Sequence, residues 1–277
     1  MRATLWGTRG SVASAGPDTV RYGGNTSCVE VRGADDTLLV LDAGTGVRCL
    51  GAQVGPGVQR IDLLLTHLHM DHIQGLGFFA PLFQADREIH IWGPPSSTLD
   101  LRARLSRYLS PPLFPVRLRD LTCDLTLHHV PPEPFQIGGL EITGQPVIHP
   151  GATLGYRIRE DGRTLAYLPD HEPALGCPRF PLEVEWTSGY VLAAGVDLLL
   201  HDAQYTPEEY EERVGWGHST LDHALRFAEL AGIRELVTFH HDPGHGDDLL
   251  DRLLAEAAGS GWPFGIRPGR EGATFDV

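Results

Sequence analysis

Five short apolar runs, each ending in a histidine or an acid, constrain this chain more than any other feature. Leu38-Leu-Val-Leu41 leads into Asp42, and Leu63-Leu-Leu65 leads into Thr66-His-Leu-His-Met-Asp-His72. Thr164-Leu-Ala-Tyr-Leu168 leads into Pro169-Asp-His-Glu172, Val196-Asp-Leu-Leu-Leu200 into His201-Asp202, and Leu236-Val-Thr-Phe239 into His240-His241-Asp242. Nearly continuous apolar runs of this length fit strands covered on both faces. Polar groups at the carboxyl ends of such strands gather on one rim, where sites in α/β sheets form.

Helices fall between the runs. Residues 98–109 are amphipathic, with Leu101, Leu105 and Leu109 on one face and Ser110-Pro-Pro112 as a stop. A second helix starts at Ser219-Thr-Leu-Asp222 and ends at Gly232, and a third covers 247–258. Residues 140–143 and 153–159 read as strands, the latter turning through Glu160-Asp-Gly162 into 164–168 as a hairpin. Stretches 75–95 and 110–115 read as loops on the site side. No repeat or interdomain linker is visible, so one mixed α/β domain over 1–277 is expected.

Three imidazoles and a carboxylate stand within six positions at His67, His69, Asp71 and His72. Such nitrogen and oxygen donors suit zinc, manganese or iron better than calcium. The four cysteines are scattered without a C-x-x-C pair, which suggests neither a disulfide framework nor a cysteine-zinc knuckle. With no signal-peptide pattern at the N-terminus and no apolar stretch fit to span a bilayer, a cytoplasmic location without a membrane partner is expected. The formal net charge of −14 disfavours nucleic acid as a partner, while leaving room for a small phosphate ester met by metal ions. The oligomeric state is open, a homodimer included.

The H-x-H-x-D-H segment resembles the metallo-β-lactamase fold superfamily, and the likeness extends along the chain. Gly7-Thr-Arg-Gly-Ser11, Tyr22-Gly-Gly-Asn-Thr-Ser27, Leu41-Asp-Ala-Gly44, His149, Asp170, His201-Asp202, His218-Ser-Thr220 and His240 follow the order of its ribonuclease Z and phosphodiesterase-like branch. The resemblance implies a four-layer αβ/βα sandwich with its site at the edge between two mixed sheets. It implies two divalent ions: His67, His69 and His149 would hold one, Asp71, His72 and His240 the other, with Asp170 bridging. Either His240 or its neighbour His241 fills the last position, since adjacent residues of a strand point opposite ways. Asp42 and His171 would orient imidazoles.

The implied activity is a dinuclear metal-dependent hydrolase, most naturally a phosphodiesterase for a small or cyclic phosphodiester, attacked by a metal-bridging hydroxide. Asp71 would help to orient that nucleophile. His218, oriented by Asp202, would protonate the leaving oxygen, unless it only caps the helix that follows. The Tyr22–Ser27 segment is a candidate source of backbone N–H groups for phosphate. Two other readings stay open: hydrolysis of a lactone, thioester or other acyl compound at the same metals, and a non-catalytic metal sensor.

Overall fold

In the computed structural model, which describes residues 1–277 except 176, 178, 179 and 182, the strands form two sheets of seven. The first sheet contains β1 (Arg2–Gly7), β2 (Cys28–Arg32), β3 (Leu38–Leu41), β4 (Arg60–Leu64), β5 (Glu88–Gly93) and β6 (Asp124–His129). The second contains β7 (Phe135–Ile137), β8 (Leu140–Pro146), β9 (Leu154–Glu160), β10 (Arg163–Leu168), β11 (Leu198–Asp202), β12 (Glu235–Phe239) and β13 (Gly265–Pro268). The last strand, β14 (Thr274–Asp276), pairs antiparallel with β1 at the first sheet's edge. Each sheet begins antiparallel along the chain and becomes parallel, from β3 to β6 in one and from β10 to β13 in the other.

Unbroken apolar runs appear where a strand has a core on both sides. In β3 all four residues are buried: Leu39 and Leu41 face the second sheet, while Leu38 and Val40 face the helices outside. The core between the sheets joins Leu5, Val31 and Leu64 to Tyr156, Tyr167, Leu200 and Phe239. Outside the first sheet pack α1 (Val47–Gln53), the short α2 (Met70–Ile73) and α3 (Leu101–Leu105). Outside the second lie α4 (Tyr190–Ala193), then α5 (Pro207–Glu211) near the rim, α6 (Leu221–Ala231) and α7 (Asp247–Ala258). Helix, sheet, sheet, helix is the expected four-layer sandwich. Among the described residues no helix is long and apolar enough to cross a membrane.

Two expectations change. Stretch 75–95 is not only loop: its Glu-Ile-His-Ile-Trp-Gly segment is β5, a central parallel strand between β4 and β6. Its His90 and Trp92 lie on a half-open face, so the apolar run is interrupted at every second residue. The helix read over 98–109 is regular only from Leu101 to Leu105, where the Asp100 side chain accepts from the Ala103 amide, although Leu109 is still buried. The helix read from Ser219-Thr-Leu-Asp222 to Gly232 is present as α6: Thr220 is its N-cap, the hydroxyl accepting from the His223 amide, and it ends on Gly232 with φ 63°.

Candidate metal centre

Both sheets deliver side chains to one edge. Past β4, the Thr66 amide and hydroxyl both donate to Asp42 at the end of β3, which fixes where His67 leaves the sheet. His69 precedes α2, whose single turn carries Asp71 and His72. From the second sheet come His149 after β8, Asp170 after β10, Asp202 as the last residue of β11, and His240 after β12.

The seven residues expected to hold metal fall into two sets, in each of which the candidate ligand atoms all lie within 4.8 Å of one another. One is His67, His69 and His149, with His149 Nε2 3.2 Å from His69 Nδ1. The other is Asp71, His72, Asp170 and His240, where Nε2 of His72 and Nε2 of His240 are 3.3 Å apart. Asp170 turns one oxygen to each set. Its Oδ1 is 3.0 Å from His72 and 3.3 Å from His240, and its Oδ2 is 3.7 Å from His67 and 3.6 Å from His149. His241 points elsewhere: its Nε2–H donates to the Gly269 carbonyl and its ring meets Tyr22 edge-on.

The outer nitrogen of most of these imidazoles is already engaged. His72 Nδ1–H donates to Asp42 (2.8 Å), His149 Nδ1–H to the Gly217 carbonyl (2.8 Å), and His240 Nδ1–H to Gln204 Oε1 (2.8 Å). His67 Nδ1–H meets Thr66 Oγ1 at 3.1 Å. These contacts fix the tautomer and turn the Nε2 lone pairs inward. Gln204 had no signal in the sequence, since an amide in a loop looks like any other polar residue. Backbone conformation contributes too: Ser11, Asp42 and His240 all adopt positive φ, near 60°, a region that non-glycine residues rarely enter. Ser11 thereby points its amide at Asp71 Oδ2 (2.8 Å).

A divalent cation fits this donor set. Among the described residues His67 Nε2 and Asp170 Oδ1 are buried with no hydrogen-bond partner, an arrangement that costs free energy unless something positive satisfies it. Burial keeps His67 and His149 well disposed to stay neutral, lowering both pKa values, with neighbouring imidazoles adding to the effect at His67. Burial also opposes the charge of Asp170, but the imidazoles of His240, His72 and His67 outweigh it and hold the carboxyl well below its usual range.

His218 stands beside the cluster, stacked on His240 (ring centroids 5.0 Å apart) and edge-on to His149 (5.0 Å). Its Nδ1–H donates to Asp202 Oδ2 at 2.7 Å, and among the described residues none takes up its Nε2. Burial works against the imidazolium, and the adjacent Asp202 charge outweighs it, pushing the pKa up to about 9. Since the Thr220 hydroxyl caps α6, the capping role open to His218 is already filled. Asp202 is itself fixed by the amides of His171, Gln204 and Ser219.

Two expectations fail here. The His171 ring does not orient a ligand: its Nδ1–H donates to His201 Nε2 (2.9 Å) and it packs on Phe227. The Tyr22–Ser27 segment is mostly closed to phosphate, because four of its six amides, those of Tyr22, Gly23, Asn25 and Thr26, donate to Asp247, Thr19, Glu271 and Thr45. Its neighbour Arg9, fully buried, ties this segment to the loop after β12 through the carbonyls of Gly23, Asp242 and His245.

A four-layer sandwich with histidines and acids from both sheets at one edge defines a class, that of metal-dependent hydrolases. The family model described as Beta-lactamase superfamily domain matches residues 37–241, and the chain belongs to that superfamily, in its metallo-β-lactamase fold. A ribonuclease Z of Myxococcus xanthus is 27% identical over 93% of this chain and 92% of its own length. Among solved structures, the metallo-β-lactamase fold protein YhfI from Bacillus subtilis superposes with a TM-score of 0.72 at 20% identity, covering 99% of each chain. The short form of human tRNase Z superposes with a TM-score of 0.69 at 20% identity, over 100% of this chain and 99% of that one. These relatives overturn the expectation that nucleic acid is disfavoured as a partner. Net charge is a sum over the whole surface, whereas a phosphate is met by the few groups at the site.

Proposed function

We propose that this chain, read as one hydrolase domain over 1–277, hydrolyses phosphodiester bonds, with RNA and small or cyclic phosphodiesters as its candidate substrates. His67, His69 and His149 would hold one divalent ion, Asp71, His72 and His240 a second, and Asp170 would reach both; zinc, manganese and iron all suit these donors. When bound, such ions supply Lewis acidity and bring the ionisation of water near neutral pH. The observation that carries the reading is the His218–Asp202 pair at the margin of the cluster. Cleavage of a phosphodiester expels an alkoxide, which needs a proton as it leaves. Asp202 holds the His218 ring by Nδ1, and the proton on Nε2 is the one free to be given up. Asp71, held by the Ser11 amide, would orient the attacking water.

The test uses chelator-treated protein reloaded separately with zinc and manganese, assayed on bis(p-nitrophenyl) phosphate and on a short oligoribonucleotide. Turnover of both should return with metal, and on the oligoribonucleotide, whose leaving group is an alkoxide, His218→Asn should lower kcat by about 10²- to 10⁴-fold while metal content is retained; p-nitrophenolate leaves without a proton, so turnover of bis(p-nitrophenyl) phosphate should fall far less. Absence of turnover on both substrates, with loading verified for both metals, would sink the reading. An unimpaired His218→Asn enzyme would remove His218 from it.

A further inference from the structure

Next to His218 the loop that follows β11 carries side chains for which cleavage alone has no use. Tyr205 is buried and meets the His218 ring edge-on at 5.7 Å. Over Tyr205 lies the Arg213 guanidinium, its Cζ 5.2 Å from that ring's centroid and 5.9 Å from that of Trp216. Two other arginines stack on aromatic rings, and both also hold a carboxylate: Arg267 with Glu235 and Arg270 with Asp251. Among the described residues Arg213 has no such partner; its Nη1–H donates only to the Glu209 carbonyl, 3.0 Å away. Trp216 is 59% exposed, a large flat surface presented to solvent.

The loop is rigidly tied to the cluster. The Glu172 carboxylate accepts the amides of Gly215 (2.8 Å) and Gly217 (2.7 Å), as well as the Tyr210 hydroxyl. Gly217, with φ +90°, lies so close to His149 that a Cβ there would fall 2.3 Å from Nδ1. At the loop's other end a reciprocal Thr206–Glu209 capping box fixes α5. A guanidinium lying over the Tyr205 and Trp216 rings and a broad indole are thus displayed on a loop tied to His149 and His218. Planar cations recognise phosphate, and exposed indoles stack on nucleobases.

We propose that Arg213 and Trp216 form a subsite for the nucleotide flanking the scissile bond, Arg213 taking its phosphate and Trp216 its base. The proposal rests on the phosphodiesterase reading and narrows it to substrates that carry a second phosphate. If Arg213 only braced the loop, its loss would affect every substrate alike.

The experiment compares the dinucleotide UpU with its 5′-phosphorylated form in metal-loaded protein, and titrates AMP and adenosine against tryptophan fluorescence. Arg213→Gln should reduce the preference in kcat/KM for the 5′-phosphorylated dinucleotide by roughly 10- to 100-fold, and weaken AMP binding far more than adenosine binding. Trp216→Leu should weaken both dinucleotides by a similar factor, about tenfold or more, and remove the fluorescence response. A preference unchanged in Arg213→Gln, with AMP bound as tightly as by the wild type, overturns the subsite. If the wild-type protein cleaves neither dinucleotide, the AMP titration alone decides Arg213, while turnover of bis(p-nitrophenyl) phosphate and the oligoribonucleotide decides the phosphodiesterase reading.

Discussion

Asp42 shows how much of this site is set by residues that would never touch a substrate. It is fully buried, at φ 57°, and accepts from the Thr66 amide (2.8 Å), the Thr66 hydroxyl, His72 Nδ1 (2.8 Å) and the Tyr167 hydroxyl (3.0 Å). One carboxylate thus sets the exit of β4, the tautomer of His72 and a link to β10. Asp42→Asn keeps the shape but replaces an acceptor with a donor that cannot serve all of these. Zinc affinity, measured by competition with a chromophoric chelator, should fall about 10- to 100-fold. Unchanged affinity would show that His72 is oriented without Asp42. Gly10 acts by having no side chain, because a Cβ there would lie 2.4 Å from His240 Nδ1. Gly10→Ala should therefore displace that ring and cost about 1–3 kcal/mol in urea unfolding, with metal capacity reduced. A variant of wild-type stability and full metal content would contradict the tight fit.

At the scale of elements, β11 adds a pH dependence. His201 is completely buried with its Nδ1–H on the Asp202 carbonyl and its Nε2 accepting from His171. Burial favours the neutral ring and outweighs the attraction of Asp202, lowering its pKa to about 4. The unfolded chain takes up this proton near pH 6.5, and the folded chain only near 4. Its contribution to stability is therefore full above pH 6.5 and is lost as pH falls towards 4, by about 3 kcal/mol in all. Urea unfolding in chelator at pH 7.5 and pH 4.5 should show a smaller acid loss in His201→Leu than in the wild type; parallel losses would refute the assignment. The same burial explains what the sequence reveals. The apolar runs of β3, β4, β10, β11 and β12 are unbroken because cores lie on both faces, and so are readable. β5 escapes notice because His90 and Trp92 occupy a half-open face, and the three-residue β14 is too short for a pattern. In the site, the spacing from His67 to His72 exposes the donor cluster, while His149, Asp170 and His240 stand out through the family resemblance. Gln204, Gly10 and Arg213 act through orientation, close approach and stacking, none of which leaves a period or a motif in the chain.

For the molecule as a whole, the cluster is also a seam. His67, His69, Asp71 and His72 follow β4 of the first sheet, and His149, Asp170 and His240 follow β8, β10 and β12 of the second. Each proposed metal set draws on both sheets, so a cation bound there would link them at an edge that the core between them does not reach. Without a cation the same place gathers buried carboxylates and inward lone pairs, with His67 Nε2 and Asp170 Oδ1 unpaired among the described residues, which disfavours the seam. A ligand that binds only the folded state stabilises it by about 2.7 kcal/mol at a hundred times its dissociation constant and about 4 kcal/mol at a thousand times. Zinc-loaded protein should accordingly unfold at higher urea than chelator-treated protein, with the gap growing with free zinc. Because Asp170 faces both sets, Asp170→Ala should remove most of that gap, whereas a substitution at His69, exposed and in one set only, should remove part of it. If the Asp170→Ala protein kept the full zinc-dependent shift, the two sets would be independent of the carboxylate between them, and the seam would not be held by a shared ligand.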